Sequence, residues 1–570
     1  MSNISIKSLT PYEAIYRASP EANALTYEQR ANEQIKQAIQ LKSNAEFIKQ
    51  LIKHKSDRIN LHTAFWLACG DGYMDVAQWL IHTYSQVDYK AENGAAFGGA
   101  CLGGHLHVAR WLVERFPDYQ DYVDQAFSGA CNYGHLHVAM WLVRMFPQLR
   151  LRVKMNDIFA SVCCNGHLHI AMWLVEQFPH IDVKTNNNEA FRWTCWFGYL
   201  HVVRWLVYEY YDDIDHRAED DYAFSRACQN GHLHVAKWLI QTFPDIDVEA
   251  EDNYAFLYAC SNGHLHVGMW LVERFPRIKT NQDIIAKAFY YTCSNDHLRV
   301  SVWLVRTFPH IKTNRDAVFQ AFFYTCKEGH LKVLQWLVQT FHHMDLHDIR
   351  KQSFRLACRR GYLQIAKWLE RTFPGMNDKI NTERAFRLAC EYGQLHVAKW
   401  LVRTFGTINH RAKDDDALIY SCYHGYLEVV KWLVHEYYDD IHQYQPYFDL
   451  MFQMACRGGK LEIAKWLVEV APNIDHRASW DKAFRMACQY GHLSVAEWLV
   501  ERFPDIDHRS CCDYAFRLAC RWGNTDVAQW LVERFPDIYP RACRNYAFRH
   551  AWHNHFLDVT EWLTQTFHIE

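Results

Sequence analysis

Apolar residues along this chain fall into one short pattern that keeps returning. In the stretch "AFSRACQNGHLHVAKWLIQTFPDID" (Ala223 to Asp247), Ala223, Phe224, Ala227 and Cys228 share one face at helical spacing, which predicts a short first helix. Gly231 follows, and glycine suits the left-handed position that ends a helix. Leu233, Val235, Ala236, Leu239, Ile240 and Phe243 then form one apolar arc, which predicts a second helix. Pro244 stops it, because the residue before a proline disfavours helical geometry. The polar connector "DIDVEAEDNY" leads to the next Ala-Phe.

The pattern repeats. Trp-Leu stands at Trp79, Trp111, Trp141, Trp173, Trp205, Trp238, Trp270, Trp303, Trp336, Trp368, Trp400, Trp432, Trp466, Trp498, Trp530 and Trp562, at intervals of 30 to 34 residues. Ten residues before each lies a cysteine, replaced only in the last repeat by Trp552. Seven residues before each lies a glycine, except for Asp296 and His555. Residues 61–570 therefore read as about sixteen helix–turn–helix repeats of roughly 32 residues, numbered here 1 to 16 by their tryptophans. Two such helices cannot bury their apolar faces alone, but stacking on the next pair does so. The expected fold is all-α, a helical-repeat solenoid. Residues 1–60 are expected to form an N-terminal helical cap with a degenerate repeat, carried by Ile35, Ala38, Phe47 and Ile48, and the last repeat to act as the C-terminal cap.

These residues resemble the ankyrin repeat family. The family pattern T-P-L-H-x-A-A-x-x-G-H-x-x-V-V-x-x-L-L-x-x-G-A-D aligns without gaps on Tyr222 to Asp245. Phe224 takes a Leu position, Ala227-Cys228 the Ala-Ala, Gly231-His232 the Gly-His, Val235-Ala236 the Val-Val and Leu239-Ile240 the Leu-Leu. The departures are regular: Thr-Pro becomes Tyr-Ala, and Gly-Ala becomes Phe-Pro. The Cys-Gly-His-Leu…Trp-Leu dialect looks like that of ankyrin proteins from large DNA viruses that infect amoebae. The resemblance implies an ankyrin-type solenoid that binds protein partners through its concave surface, with His232 and its equivalents bracing the turn between repeats.

The repeated side chains invite chemical readings, which helical geometry weakens. HxH recurs, as in His105/His107, His135/His137 and His232/His234. A metal needs several imidazoles converging to about 2 Å from the ion, whereas residues i and i+2 on a helix point about 200° apart. His234 and its equivalents are expected on the solvent side. The cysteines lie one per repeat on the buried face, and helices stack about 8–10 Å apart, beyond the reach of a disulfide. Cys511 and Cys543 occupy equivalent connector positions in adjacent repeats. A ladder of sixteen outward indoles would be an apolar patch rarely tolerated by monomers, so each Trp is expected to cover the seam to the next second helix. No phosphate loop, nucleophile elbow or unique Ser/His/Asp set stands apart from the repeats, so no enzyme activity, metal or cofactor is expected.

Composition adds bounds. Half the residues are apolar, too many for disorder. The formal net charge of −3 gives no global drive toward nucleic acid or membrane. The N-terminus shows no apolar signal region, and no run approaches the roughly 18 apolar residues of a membrane span. With nineteen cysteines and no secretion signal, reduced thiols and a cytoplasmic location, the host cytoplasm for a viral protein, are expected.

Specificity should lie where the repeats differ. On the first-helix wheel, the positions facing away from the core are the second residue after Phe and the first after Cys. Small residues occupy them early (Gly99/Leu102, Gly129/Asn132, Ser161/Cys164), aromatics in the middle, and aliphatic-plus-basic pairs late (Leu356/Arg359, Met454/Arg457). Exposed Trp, Tyr and Arg dominate binding energy at interfaces. The candidate partner-binding residues are therefore Trp193, Trp196, Arg226, Tyr258, Tyr291, Tyr324, Lys327, Tyr420 and Tyr423, with stacking between neighbouring first helices as the competing use of the tyrosines. The leading function is a monomeric, non-catalytic scaffold that binds a protein, as a viral factor capturing a host protein. The alternatives are a self-assembling or virion-associated component using the Trp ladder and a ubiquitin-ligase adaptor. The in-register Arg355, Arg387, Arg485, Arg517 and Arg549 are offset by acidic "ERFPDID" segments, so nucleic acid is not expected as a partner.

Overall fold

A computed structural model of the chain describes residues 27–40, 45–54, 59–89, 91–149, 154–344, 347–373, 378–406, 408–409, 412–437 and 445–568. Among them are 34 α-helices and no strand. The chain divides into two compact units, Met1–Ile284 and Ile285–Glu570, with the boundary inside the helix Gln282–Ser294. Each unit is a stack of antiparallel helix pairs, so the fold is the expected helical-repeat solenoid.

The pair Ala218–Gln229 and Leu233–Thr242 shows how the sequence builds one repeat. Gly231, at φ +80°, leaves the first helix in the left-handed conformation. Its N–H reaches Cys228 O at 3.1 Å and the His232 N–H reaches Ala227 O at 2.8 Å, the paired bonds of a Schellman turn. The second helix ends at Phe243, extended ahead of Pro244 at φ −123°. Phe224, Ala227, Cys228, Val235, Ala236 and Leu239 are all buried, while Leu233 and Ile240 lie half-buried at the edge of the predicted arc. Burying each large side chain of this core contributes about 1.5–3 kcal/mol, which only stacking can supply to helices of ten to twelve residues. Before repeat 1, the helices Tyr27–Gln40 and Ala45–His54 bury Ile35, Ala38, Ile48, Leu51 and Ile52.

Two local expectations need correction. The connector is shorter than ten residues, because the first helix already begins at Ala218 rather than Ala223. In several repeats this added turn is left-handed: Cys511, Cys512 and Asp513 have φ of 56°, 59° and 55°, as do the corresponding Asn186–Asn188, Ser479–Asp481 and Cys543–Asn545. Such backbone costs non-glycine residues roughly 1–2 kcal/mol each, and a recurring arginine offsets it. Arg517 donates from Nε to Cys512 O at 2.8 Å and from Nη2 to Cys511 O at 2.6 Å. Arg485 does the same to Trp480 O and Ser479 O, and Arg192 to Asn187 O and Asn186 O.

His234 lies exposed on the solvent side of the second helix, as expected, and its Nε2 donates to Gly198 O in the preceding repeat at 3.0 Å. His137, His201, His266 and His396 make the same bond. The two imidazoles of one HxH thus turn apart, and burial holds the ionisation of His232 below the usual histidine range. The second correction concerns the tryptophans. All sixteen are half-buried, and Trp270 meets Phe224 of the preceding repeat with ring centroids 6.4 Å apart. The seam they cover faces the preceding repeat, as Trp173 meets Phe127, Trp336 meets Phe289 and Trp498 meets Phe452. Trp238 also packs edge-on against Phe243, which closes its own helix.

Candidate partner-binding surface

The candidate residues project from first helices, where the core-facing positions fix the register and leave the remaining positions free to vary. In the N-terminal unit, Trp193 and Trp196 lie on the helix Thr185–Phe197 with ring centroids 5.0 Å apart. Trp196 continues to Tyr222 of the next repeat at 6.1 Å. Arg226 sits among three rings, its guanidinium carbon 5.0 Å from Trp196, 4.5 Å from Tyr222 and 4.8 Å from Tyr254. It also donates to the Tyr254 hydroxyl. Tyr254 in turn lies 4.0 Å from Tyr258, one helical turn on. Trp193, Trp196, Arg226 and Tyr258 therefore join into one half-buried cluster spanning repeats 5 to 7. Beside Trp193, a cleft of about 440 Å³ is bounded by Asp157, Cys164 and Glu189.

In the C-terminal unit the remaining candidates form two groups. Tyr290 stacks on Tyr324 of the next repeat at 5.8 Å and lies 4.4 Å from Tyr291, which keeps 41% of its surface exposed. Burial and a hydrogen bond with Tyr291 push the Tyr290 hydroxyl above its ordinary range. Inter-helix stacking is thus carried by Tyr290, and Tyr291 projects outward. Lys327 covers the Tyr324 ring at 5.6 Å, with its ammonium 3.6 Å from Glu328. Tyr420 and Tyr423 belong to a separate group around His424, at 6.5 and 5.0 Å, which Tyr392 joins at 6.2 Å.

Sequence reasoning missed the residues that tie these groups together: Tyr222, Tyr254, Tyr290, Tyr392 and His424. Four of them share two further registers, while Tyr290 directly follows the repeat Phe289. Tyr222 and Tyr254 stand two residues before the repeat Phe, and Tyr392 and His424 two residues after the repeat Cys. The in-register arginines are committed to the chain itself, Arg485 and Arg517 to left-handed turns and Arg387 to Asp416 at 3.1 Å. No described helix is long and apolar enough to cross a membrane.

Comparison with known proteins agrees with this geometry. A family model for ankyrin repeats in three copies matches residues 354–445, and one for ankyrin repeats in many copies matches 222–272, 452–500, 484–532 and 516–564. No curated protein matches the chain. The chain carries ankyrin repeats, modules that generally mediate protein–protein interaction.

Proposed function

We propose that this protein is a non-catalytic scaffold that binds a protein partner through the exposed face of its first helices, centred on repeats 5 to 7. The supporting observation is the continuous cluster of Trp193, Trp196, Tyr222, Arg226, Tyr254 and Tyr258, in which an arginine is held among three half-buried aromatic rings. Rigid aromatic and arginine side chains lose little entropy on binding and dominate interface energies. Capture of a host protein in the cytoplasm of an infected cell is the finer proposal, resting on the viral-type dialect of the repeats. Substrate delivery to a ubiquitin ligase would use the same face.

The test compares three full-length proteins in proximity labelling and co-purification: wild type, Trp196→Ala/Tyr258→Ala, and Tyr208→Ala, which removes an exposed ring from a second helix. A partner retained by wild type and Y208A but lost by W196A/Y258A supports the reading. Equal recovery by all three overturns it. Self-assembly has one observation in its favour: Arg204, Trp205, Tyr208, Tyr211 and Trp238 line an apolar cleft of about 610 Å³ on the second helices, where Tyr208 is 85% exposed. Light scattering separates the two readings, since assembly through this cleft requires a molar mass that rises with concentration and a Y208A variant that stays monomeric.

A further inference from the structure

Three arginines of the C-terminal unit share one register and one unusual situation. Arg359, Arg457 and Arg521 each follow the repeat cysteine, and each donates to a tyrosine hydroxyl of the next repeat: Tyr392, Tyr490 at 3.1 Å and Tyr546 at 2.9 Å. The guanidinium of Arg359 lies 4.1 Å from the Tyr392 ring centre, and that of Arg457 lies 5.5 Å from Tyr423 and 5.1 Å from Tyr490. Among the described residues none of the three has a carboxylate within 4.0 Å, whereas Arg387, three residues before the intervening Cys390, pairs with Asp416. These cations are oriented and partly desolvated, and the described chain supplies no anion to them.

Around Arg457 the same face opens into a cleft of about 370 Å³ lined by Tyr423, His424, Arg457, Gly458, Lys460 and Tyr490. Two departures from the repeat pattern create it. Gly458 stands where the flanking repeats carry His424 and Tyr490, and a Cβ there would lie 2.0 Å from the Tyr423 carbonyl oxygen. Lys460 stands where they carry Tyr426 and His492, and its stem lies along Gly425, whose Cβ would be 2.8 Å from Lys460 Cδ. The lining holds the cations of Arg457 and Lys460 and no acid. The Nε of Arg457 is buried without a hydrogen-bond partner, and a planar guanidinium matches a carboxylate in shape and charge.

We propose that this cleft is a carboxylate-binding site for an acidic segment of the protein partner, seated on Arg457 and Lys460, with Arg359 and Arg521 holding further acidic side chains along the same face. The inference rests on the first-helix face being the protein-binding surface. Charge complementarity selects an acidic partner. One face of each ring beside Arg457 is covered by its guanidinium, which leaves less room for a stacked nucleobase.

The probe is fluorescein-labelled poly-L-glutamate, titrated with full-length protein at low salt and read by anisotropy. Arg457→Gln and Lys460→Gln are each expected to weaken binding roughly tenfold, a loss in keeping with one charge-assisted hydrogen-bond pair. Arg534→Gln, which removes an equal charge from an exposed second-helix end, is expected to leave it unchanged. Lys460 lies over Gly425 rather than in the core, so K460Q keeps the test valid should R457Q unfold. Equal losses in all three variants would reveal diffuse attraction and overturn the site, as would tighter binding of a thymidine oligonucleotide than of poly-glutamate. Absence of poly-glutamate binding would also overturn it, and would leave the repeat 5–7 surface standing if W196A/Y258A still abolished partner recovery.

Discussion

The imidazole of His232 lies over Gly198 of the preceding repeat, so close that a Cβ on Gly198 would sit 2.4 Å from Nδ1. His105, His135, His264 and His492 cover Gly72, Gly104, Gly231 and Gly459 in the same way, and Tyr199 and Phe556 cover Gly166 and Gly523. The repeat glycine thus serves two needs, a positive φ and room for the next repeat's ring.

Gly198→Ala should therefore cost more than its backbone. The left-handed φ of +81° contributes about 1 kcal/mol, and displacing the His232 ring with its bond to a backbone carbonyl adds about 1 kcal/mol. Gly406→Ala is the control, with a φ of +55° and nothing within 4 Å of a new Cβ. Urea unfolding of both variants checks the difference; equal losses would show that the ring contact contributes nothing.

Arg517 is 8% exposed and spans two carbonyls of a left-handed turn with one planar fork. A lysine keeps the charge but cannot reach Cys511 O and Cys512 O in that geometry. Arg517→Lys is expected to lower stability by about 1.5–3 kcal/mol, the worth of hydrogen bonds to a charged group. A denaturation midpoint matching wild type would remove the clamp from the account of these turns.

The helix pairs were legible because their signals are local and periodic. Phe224, Cys228, Gly231, Leu239 and Pro244 recur at fixed offsets, and each acts mainly through its own helix or its own turn. What escaped the sequence acts between repeats. The bond of His234 to Gly198 O joins residues thirty-six apart, and no helical wheel contains that oxygen. The left-handed turn at Cys511, Cys512 and Asp513 carries no glycine to announce it, and is held by Arg517 five and six residues downstream. The candidate surface was half legible for the same reason. Arg226 stood out as a variable position, but Tyr222 and Tyr254, which fix it, sit in another register that reads as repeat consensus.

Asp481, the third residue of such a turn, is 2% exposed. Burial raises its carboxyl above the usual carboxylate range, and Arg477 acts in the opposite direction. A carboxyl that titrates higher in the folded than in the unfolded chain binds its proton more tightly when folded. Its contribution to stability is full below the unfolded value near about pH 4 and is lost as pH rises through the folded value. Asn188 and Asn545 occupy the equivalent place, so Asp481→Asn keeps the carbonyl oxygen and removes the charge. The variant should melt at or above the wild-type temperature at neutral pH and show a flatter dependence between about pH 4 and pH 7. Parallel melting curves for the two proteins would refute this.

The nineteen cysteines divide by accessibility in a way that thiol chemistry can count. Fifteen hold the repeat position and are buried, and burial raises their thiols far above the ordinary range; for Cys293 and Cys326 the value is about 12. Cys164 is half-buried and likewise pushed up to about 12. Only Cys511, Cys512 and Cys543 are exposed. Because the thiolate is the reactive species, a disulfide reagent at neutral pH should titrate these three quickly, Cys164 slowly and the fifteen only after unfolding. A Cys511→Ser/Cys512→Ser/Cys543→Ser variant should show no fast phase. A fast phase that persists in that variant would mean that the repeat interiors open on the timescale of labelling, and the stacked helix pairs would then be far more dynamic than their burial implies.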